Sequence, residues 1–313
     1  MGCQMRKILA LFLLIFGYFV SACGELSSPS TVRVPSNGLI TVGVIAGNTA
    51  DDATSIQPLA DALANSLHNY GIQGGRVHVA NSVEEMAAWL KSGTVDLYID
   101  SAYPAVLACQ QSGAKMLLRG WEFGQPDAHV VIFTNRNTGL RTLSDLRGKM
   151  IALRQPQATS SFFLSAAHLL RHELSLSSKS NFSATVSPSE VGFIVSESDQ
   201  NTLRAVLTNA VAAGAVDDYS FDIVFSPETL QQLVELDRTE KIPRQVVVAR
   251  PGLDKEYLEI LTETLTNMNE TEDGKAALAA FQTTRFDHFP DGAEATERKL
   301  REMLATIKQI ALP

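Results

Sequence analysis

Residues 149–170, KMIALRQPQATSSFFLSAAHLL, decide how this chain folds. An apolar run ends in Arg154 and Gln155, apolar residues then recur at helical spacing from Phe162, and between them stand Pro156, Gln157, Ala158, Thr159, Ser160 and Ser161. The pattern predicts a strand, a turn and a helix start. Two readings of the hydroxyl group are open. Thr and Ser cap helices by satisfying the first free N–H groups; the same N–H groups, hydroxyls and positive dipole end also make a pocket for an oxyanion.

Working outward, the strand–turn–helix unit recurs. LITVGVIA (39–46) is a β-branched run, followed by turn residues from Asn48 to Asp52 and an amphipathic stretch ending on Gly71. GRVHVA, SVEEMAAWLKSG with a Ser82/Glu85 capping box, VDLYID, YPAVLACQQSG and AKMLLRG continue the alternation, which predicts βαβαβαβ and a parallel sheet with helices on its faces. HVVIFTN, KMIALRQ, VGFIVSE, DQNTLRAVLTN, AVAAGAV and SPETLQQLVEL form a second βα set, RQVVVAR returns, and the tail from Leu253 to Ile310 reads as three helices. Two sets joined by strands near 129–135 and 245–250 imply two lobes with a cleft between them. Ligands in open α/β sheets sit at carboxyl ends of strands, here after Asp100, Gln155 and Val216.

The first residues place the protein. Arg6 and Lys7, an apolar run from Ile8 to Phe19 and the small residues Ser21 and Ala22 before Cys23 describe a secretory signal over 1–22. Its end resembles a bacterial lipobox, which implies a diacylated Cys23 and a membrane anchor through lipid. The run is shorter than the roughly 20 residues of a membrane span. Residues 23–38, rich in Ser, Pro and Gly, read as a flexible tether. Lobe 1 is expected over 39–128 plus 247–313 and lobe 2 over 129–246. Beyond Cys3 and Cys23 only Cys109 remains, so no intrachain disulfide is expected. Loss of Arg6 and Lys7 takes the formal charge from −8 to −10, and no basic cluster stands out, which argues against nucleic acid.

Four stretches, VDLYIDSAYPAVLACQQSGAK, HVVIFTNRNTGLRTLSDLRGKMIALRQPQATSSFF, AVAAGAVDD and IPRQVVVARPGLDKEYLEILTETLTNM, together resemble the phosphate/phosphite/phosphonate-binding lipoproteins of ABC importers. The resemblance spans roughly Leu39 to Pro290. It implies the type II periplasmic-binding fold, a non-enzymatic receptor that closes over a small phosphorus oxyanion, an ABC permease with its ATPase as partners, and a place in the cell envelope facing periplasm or exterior, as a monomer without cofactor.

The family loop is usually Pro-x-Ser-Thr-Ser-Gly, so Thr159, Ser160 and Ser161 are the implied anion ligands, with Ala158 in place of one hydroxyl and Ser161 in place of glycine. In the first lobe Ser101 and Tyr103 open a helix at the strand end, and Tyr98 points either into the cleft or into the core. The commoner family form has Gly-Pro here and a tyrosine where Ala105 stands. The resemblance implies that Asp217 accepts a ligand P–OH, P–H or ammonium proton; capping of the next helix by Asp217 and Asp218 is the local reading. His129 stands where the family often carries Tyr or His near the anion, and an N–H there would help bind, while Val130 replaces a frequent Ser.

His168 and His172, i and i+4 on one helix, are half of a metal site, but no third ligand stands in recognisable spacing, so no metal is expected. A lipid-anchored hydrolase built on Asp217, His129 and a seryl group is the alternative of another class. Same-fold receptors for a sulfonate or a thiamine-precursor-like molecule, or a sensor-linked receptor, are further variants.

Overall fold

The computed structural model describes residues 37–46, 53–155, 160–308 and 310. The expected signal peptide, Cys23, most of the tether, and Pro156 to Thr159 of the hydroxyl loop lie outside these residues.

The β-branched opening run forms β1 (Leu39–Ile45), buried at all but its first position. Then follow α1 (Ala53–Ser66), β2 (Gly74–Ala80), α2 (Val83–Ser92), β3 (Leu97–Asp100), α3 (Ala102–Ser112) and β4 (Lys115–Glu122). The start of α2 is fixed locally: Ser82 Oγ accepts the Glu85 amide, and the Glu85 carboxylate accepts the Asn81 amide. Gly93 in the left-handed region at φ +79° ends it, a conformation that a Cβ disfavours.

A short strand β5 (Asp127–Ala128) leads to β6 (Val130–Asn135), β7 (Met150–Arg154), α4 (Ser160–Arg171), β8 (Ser175–Ser178), β9 (Glu190–Ser196), α5 (Asp199–Leu207), β10 (Ala213–Asp217), α6 (Pro227–Leu230) and β11 (Leu233–Arg238). Then β12 (Ile242–Pro243) and β13 (Gln245–Ala249) precede α7 (Lys255–Asn267), α8 (Glu272–Ala280), β14 (Thr283–Asp287) and α9 (Ala293–Ile307).

The strands make two six-stranded sheets, β14-β4-β13-β3-β1-β2 and β11-β6-β10-β7-β9-β8. The first departs from the parallel sheet that the alternation predicts: β13 inserts antiparallel between β3 and β4, and β14 adds antiparallel to β4. The reason is burial. All five residues of β13 are buried, so it is stable only with a neighbour on each edge. In the second sheet β10, β7, β9 and β8 run parallel, and β6 is antiparallel to both β10 and β11. The segment expected as one helix over 226–236 is helical only over Pro227–Leu230 before β11 begins, and the expected three-helix tail includes β14.

Between the sheets the chain crosses twice, and the crossings pair as β5 and β12, with Ile242 opposite Ala128 and Pro243 opposite Asp127. One apolar cluster runs through both halves, from Tyr98, Val246 and Val248 of the first sheet to Ile151 and Leu153 of the second, with Phe162 and Phe163 of α4 and Leu304 of α9. Cys109 belongs to it, and burial pushes its thiol up to about 12. Among the described residues no helix is long and apolar enough to cross a membrane.

Candidate functional site

Register brings the expected strand ends to one place. In the first sheet Asp100, last residue of β3, lies opposite Val246 near the start of β13, so Arg244 stands at the same edge. In the second, β7 and β10 are parallel neighbours, so their carboxyl ends share an edge. Arg244 connects the two. Its Nη1 donates to Asp217 Oδ1 at 2.9 Å and its Nη2 to Asp218 Oδ1 at 2.5 Å, while its backbone N–H donates to the Pro126 carbonyl on the opposite crossing.

On the first-lobe side the strand end is acidic. Tyr98 is fully buried, and its hydroxyl donates to Asp100 Oδ2 at 2.7 Å, so its ring is a core residue and its polar tip serves Asp100. Asp100 Oδ1 accepts the Ser101 amide at 2.6 Å and the Ser101 hydroxyl at 3.3 Å. Ser101 is the N-cap residue of α3 but makes no side-chain cap bond, because its hydroxyl turns to that carboxylate. Burial raises the Tyr103 hydroxyl above the ordinary tyrosine range.

Tyr103, in the first turn of α3, stacks on Phe163, in the first turn of α4, with centroids 5.1 Å apart and 29° between planes. The two helix starts therefore meet across the halves. At α4, Ser161 is buried and its carbonyl accepts the Ser165 hydroxyl at 2.7 Å. Ser160 is the first residue of the helix; Thr159 lies outside the described residues.

The second-lobe acids differ from the picture of open ligand acceptors. Asp217 Oδ1 accepts both Arg244 and the Tyr219 amide at 2.9 Å, and the side chain keeps a quarter of its surface exposed. Burial, and then the neighbouring Asp218 charge, push its carboxyl up to about 6 against the pull of Arg244.

His129 is not arranged as an anion donor. Arg238 Nη1 donates to its Nε2 at 3.0 Å, and since arginine cannot accept, that nitrogen is unprotonated. Its Nδ1 lies 3.4 Å from Asp218 Oδ2 without forming a hydrogen bond. Burial is the main cause that lowers its pKa, in keeping with a neutral ring.

Arg244 is the residue that sequence reading passed over. Its signal is a single charged side chain directly before the wholly buried QVVVA run, but its partners lie 27 and 26 positions away, so nothing local announces them. A second aromatic pair also joins the halves: Phe123, which holds φ +52°, stacks on Tyr219 at 4.6 Å. Chemically, first-turn N–H groups at the starts of α3 and α4 can meet an anion, and carboxylates can accept a proton.

Comparison with known proteins gives the family and the fold. The family model described as ABC transporter, phosphonate, periplasmic substrate-binding protein matches residues 42–292. Among solved structures, XAC2383 from Xanthomonas citri bound to ATP superposes with a TM-score of 0.75 at 24% identity, covering 87% of this chain and 98% of that one. PhnD1 from Prochlorococcus marinus in complex with methylphosphonate gives 0.60 at 15% identity, covering 87% and 99%. A binding protein component of an ABC phosphonate transporter from Pseudomonas aeruginosa gives 0.51 at 14%, covering 87% and 97%. At these identities the likeness shows the fold, a type II periplasmic-binding architecture. None of the curated proteins matches the chain.

Proposed function

As the chain belongs to the periplasmic substrate-binding proteins of phosphonate ABC transporters, we propose that it captures a small phosphorus oxyanion between its two halves and hands it to the membrane permease. The family is one of transporter binding proteins and not of enzymes, so the hydrolase alternative falls away; a permease, its ATPase and a small ligand are its partners.

The observation that carries the ligand reading is the meeting of the α3 and α4 starts at the Tyr103–Phe163 stack. The first-turn N–H groups of α3 and α4, which a helix leaves without intrahelical partners, and the Tyr103 hydroxyl supply donors without a fixed cation, and Ser101, Thr159, Ser160 and Ser161 are the ligands proposed beside them. Asp100 and Asp217 narrow the choice. A doubly charged anion meets repulsion from them, whereas a monoanion with a P–OH or P–H group, or a phosphonate with its own ammonium, has something to give them. Phosphonate, phosphite and phosphate are thus the candidate class, and His129 acts behind Asp218 without touching the ligand.

Residues 39–128 with 247–313 form lobe 1 and 129–246 lobe 2; the sharing of β1 to β4, β13 and β14 in one sheet and β6 to β11 in the other supports this. Residues 1–22 act as a lipoprotein signal, lipid on Cys23 anchors a monomer to the membrane, and the tether lets it reach the permease.

The test is thermal unfolding with phosphate, phosphite, methylphosphonate and 2-aminoethylphosphonate, since a ligand that binds only the native state raises Tm. At least one is expected to raise it, and combined Thr159→Ala and Ser160→Ala to cut the rise while leaving ligand-free Tm nearly unchanged. No shift with any of the four at millimolar concentration overturns the ligand class.

A further inference from the structure

We propose that His168, His172 and Asp237 form a site for one divalent transition-metal ion of the zinc class, on the face of the second lobe away from the ligand-binding helix starts. The two histidines lie one turn apart at the end of α4, with ring centroids 4.6 Å apart. Sequence reading found no third ligand for them. The fold supplies it from β11, 69 positions from His168: Asp237 Oδ2 lies 3.1 Å from His168 Nε2.

One ligand atom from each of the three residues falls within 4.8 Å of the others. A zinc ion at ~2.0–2.2 Å from each nitrogen and oxygen needs its ligand atoms ~3.3–3.5 Å apart. The histidine–aspartate pair is already there, and His172, which is exposed, swings in to complete the set. Two imidazoles and one carboxylate are a donor set for zinc, nickel or copper and leave a coordination position to water.

The surroundings favour a cation at this spot. Asp237 Oδ1 accepts the Arg238 amide at 2.8 Å, which orients the carboxylate so that Oδ2 faces the histidines. The neighbouring positive side chains are each matched elsewhere: Arg171 and Lys299 on Glu240, Arg238 on Asp222 and Glu235. The site also lies at the carbonyl end of α4, where the helix dipole is negative. A simple His168–Asp237 hydrogen bond accounts for two of the residues and leaves the placement of His172 beside them unused. An ion held by all three ties the end of α4 to β11, and so braces the helix whose other end faces the proposed ligand.

The experiment is calorimetric titration of Zn²⁺ into the full chain prepared without a histidine tag, with Co²⁺ absorption as a second readout. The wild type is expected to take up one equivalent and to gain Tm, with Co²⁺ d–d bands and no thiolate charge-transfer band. His172→Ala, an exposed change that leaves the metal-free Tm in place, and Asp237→Asn are each expected to weaken uptake about tenfold or more. No uptake by the wild type, uptake by either variant as tight as that of the wild type, or a thiolate band each overturns the proposal. None of these readouts involves a phosphorus ligand, so failure here leaves the transport reading standing and the reverse.

Discussion

Arg244 shows how much one side chain carries at the residue scale. Its side chain is 5% exposed and holds two adjacent carboxylates, so removing it leaves like charges buried together. Breaking a buried pair in this way costs about 3–5 kcal/mol, and that loss is expected for Arg244→Ala by denaturant unfolding at neutral pH. The pH dependence has a definite sign. Asp217 titrates near 6, above its ordinary value of 3.8, so between the two the native state binds more protons than the unfolded one, and its contribution to stability falls as pH rises through that window. Without the guanidinium, which pulls its pKa down, Asp217 resists ionisation further. The deficit of the variant should therefore shrink from pH 7 to pH 5; a deficit that stays constant would rule out carboxylate repulsion as its source.

At the scale of elements, close approach of α1 to β2 positions the first sheet. A Cβ placed on Gly75 meets the Ala60 carbonyl oxygen at 2.2 Å, a backbone contact that no rotamer change relieves. Gly75→Ala must push α1 off the strand it covers and is expected to cost roughly 1–3 kcal/mol by overpacking, seen as a fall in the denaturation midpoint with unchanged slope. Gly124, with open space where its Cβ would be, is the control for added volume, although its φ of +75° makes alanine strained there for a different reason. A Gly75→Ala protein as stable as wild type would mean the helix lies farther from the strand. The same scale explains β13: a run buried on both sides has to find two neighbours, and the gap between β3 and β4 provides them.

For the whole molecule the continuous apolar cluster matters most. Tyr103 and Phe163 join the halves inside it, Phe123 and Tyr219 join them again near the β10 end, and α9 packs on α4 as well as on α3 and β4. Halves that share a core should unfold together. A single calorimetric transition is expected for the ligand-free protein, with calorimetric and van't Hoff enthalpies in agreement. Phe163→Ala, removing a fully buried ring, should lower that one transition by about 3–5 kcal/mol of stability without splitting it. Two separate transitions in the wild type would show that the shared cluster does not couple the halves.

What could be read from residues in order was whatever depends on near neighbours. The β-branched run of β1, the Ser82/Glu85 cap, the start of α4 and the strand ends at Asp100 and Asp217 are all local patterns, and with the four family-like stretches they were enough for a two-lobed α/β receptor. Tertiary structure alone decided what depends on residues far apart in the chain: the place of β13, the pairing of Arg244 with Asp217 and Asp218, the capture of His129 by Arg238, and the arrival of Asp237 beside His168 and His172. Periodicity and capping act over about one helical turn, whereas these contacts are set by sheet register and by two chain crossings, which no local stretch encodes.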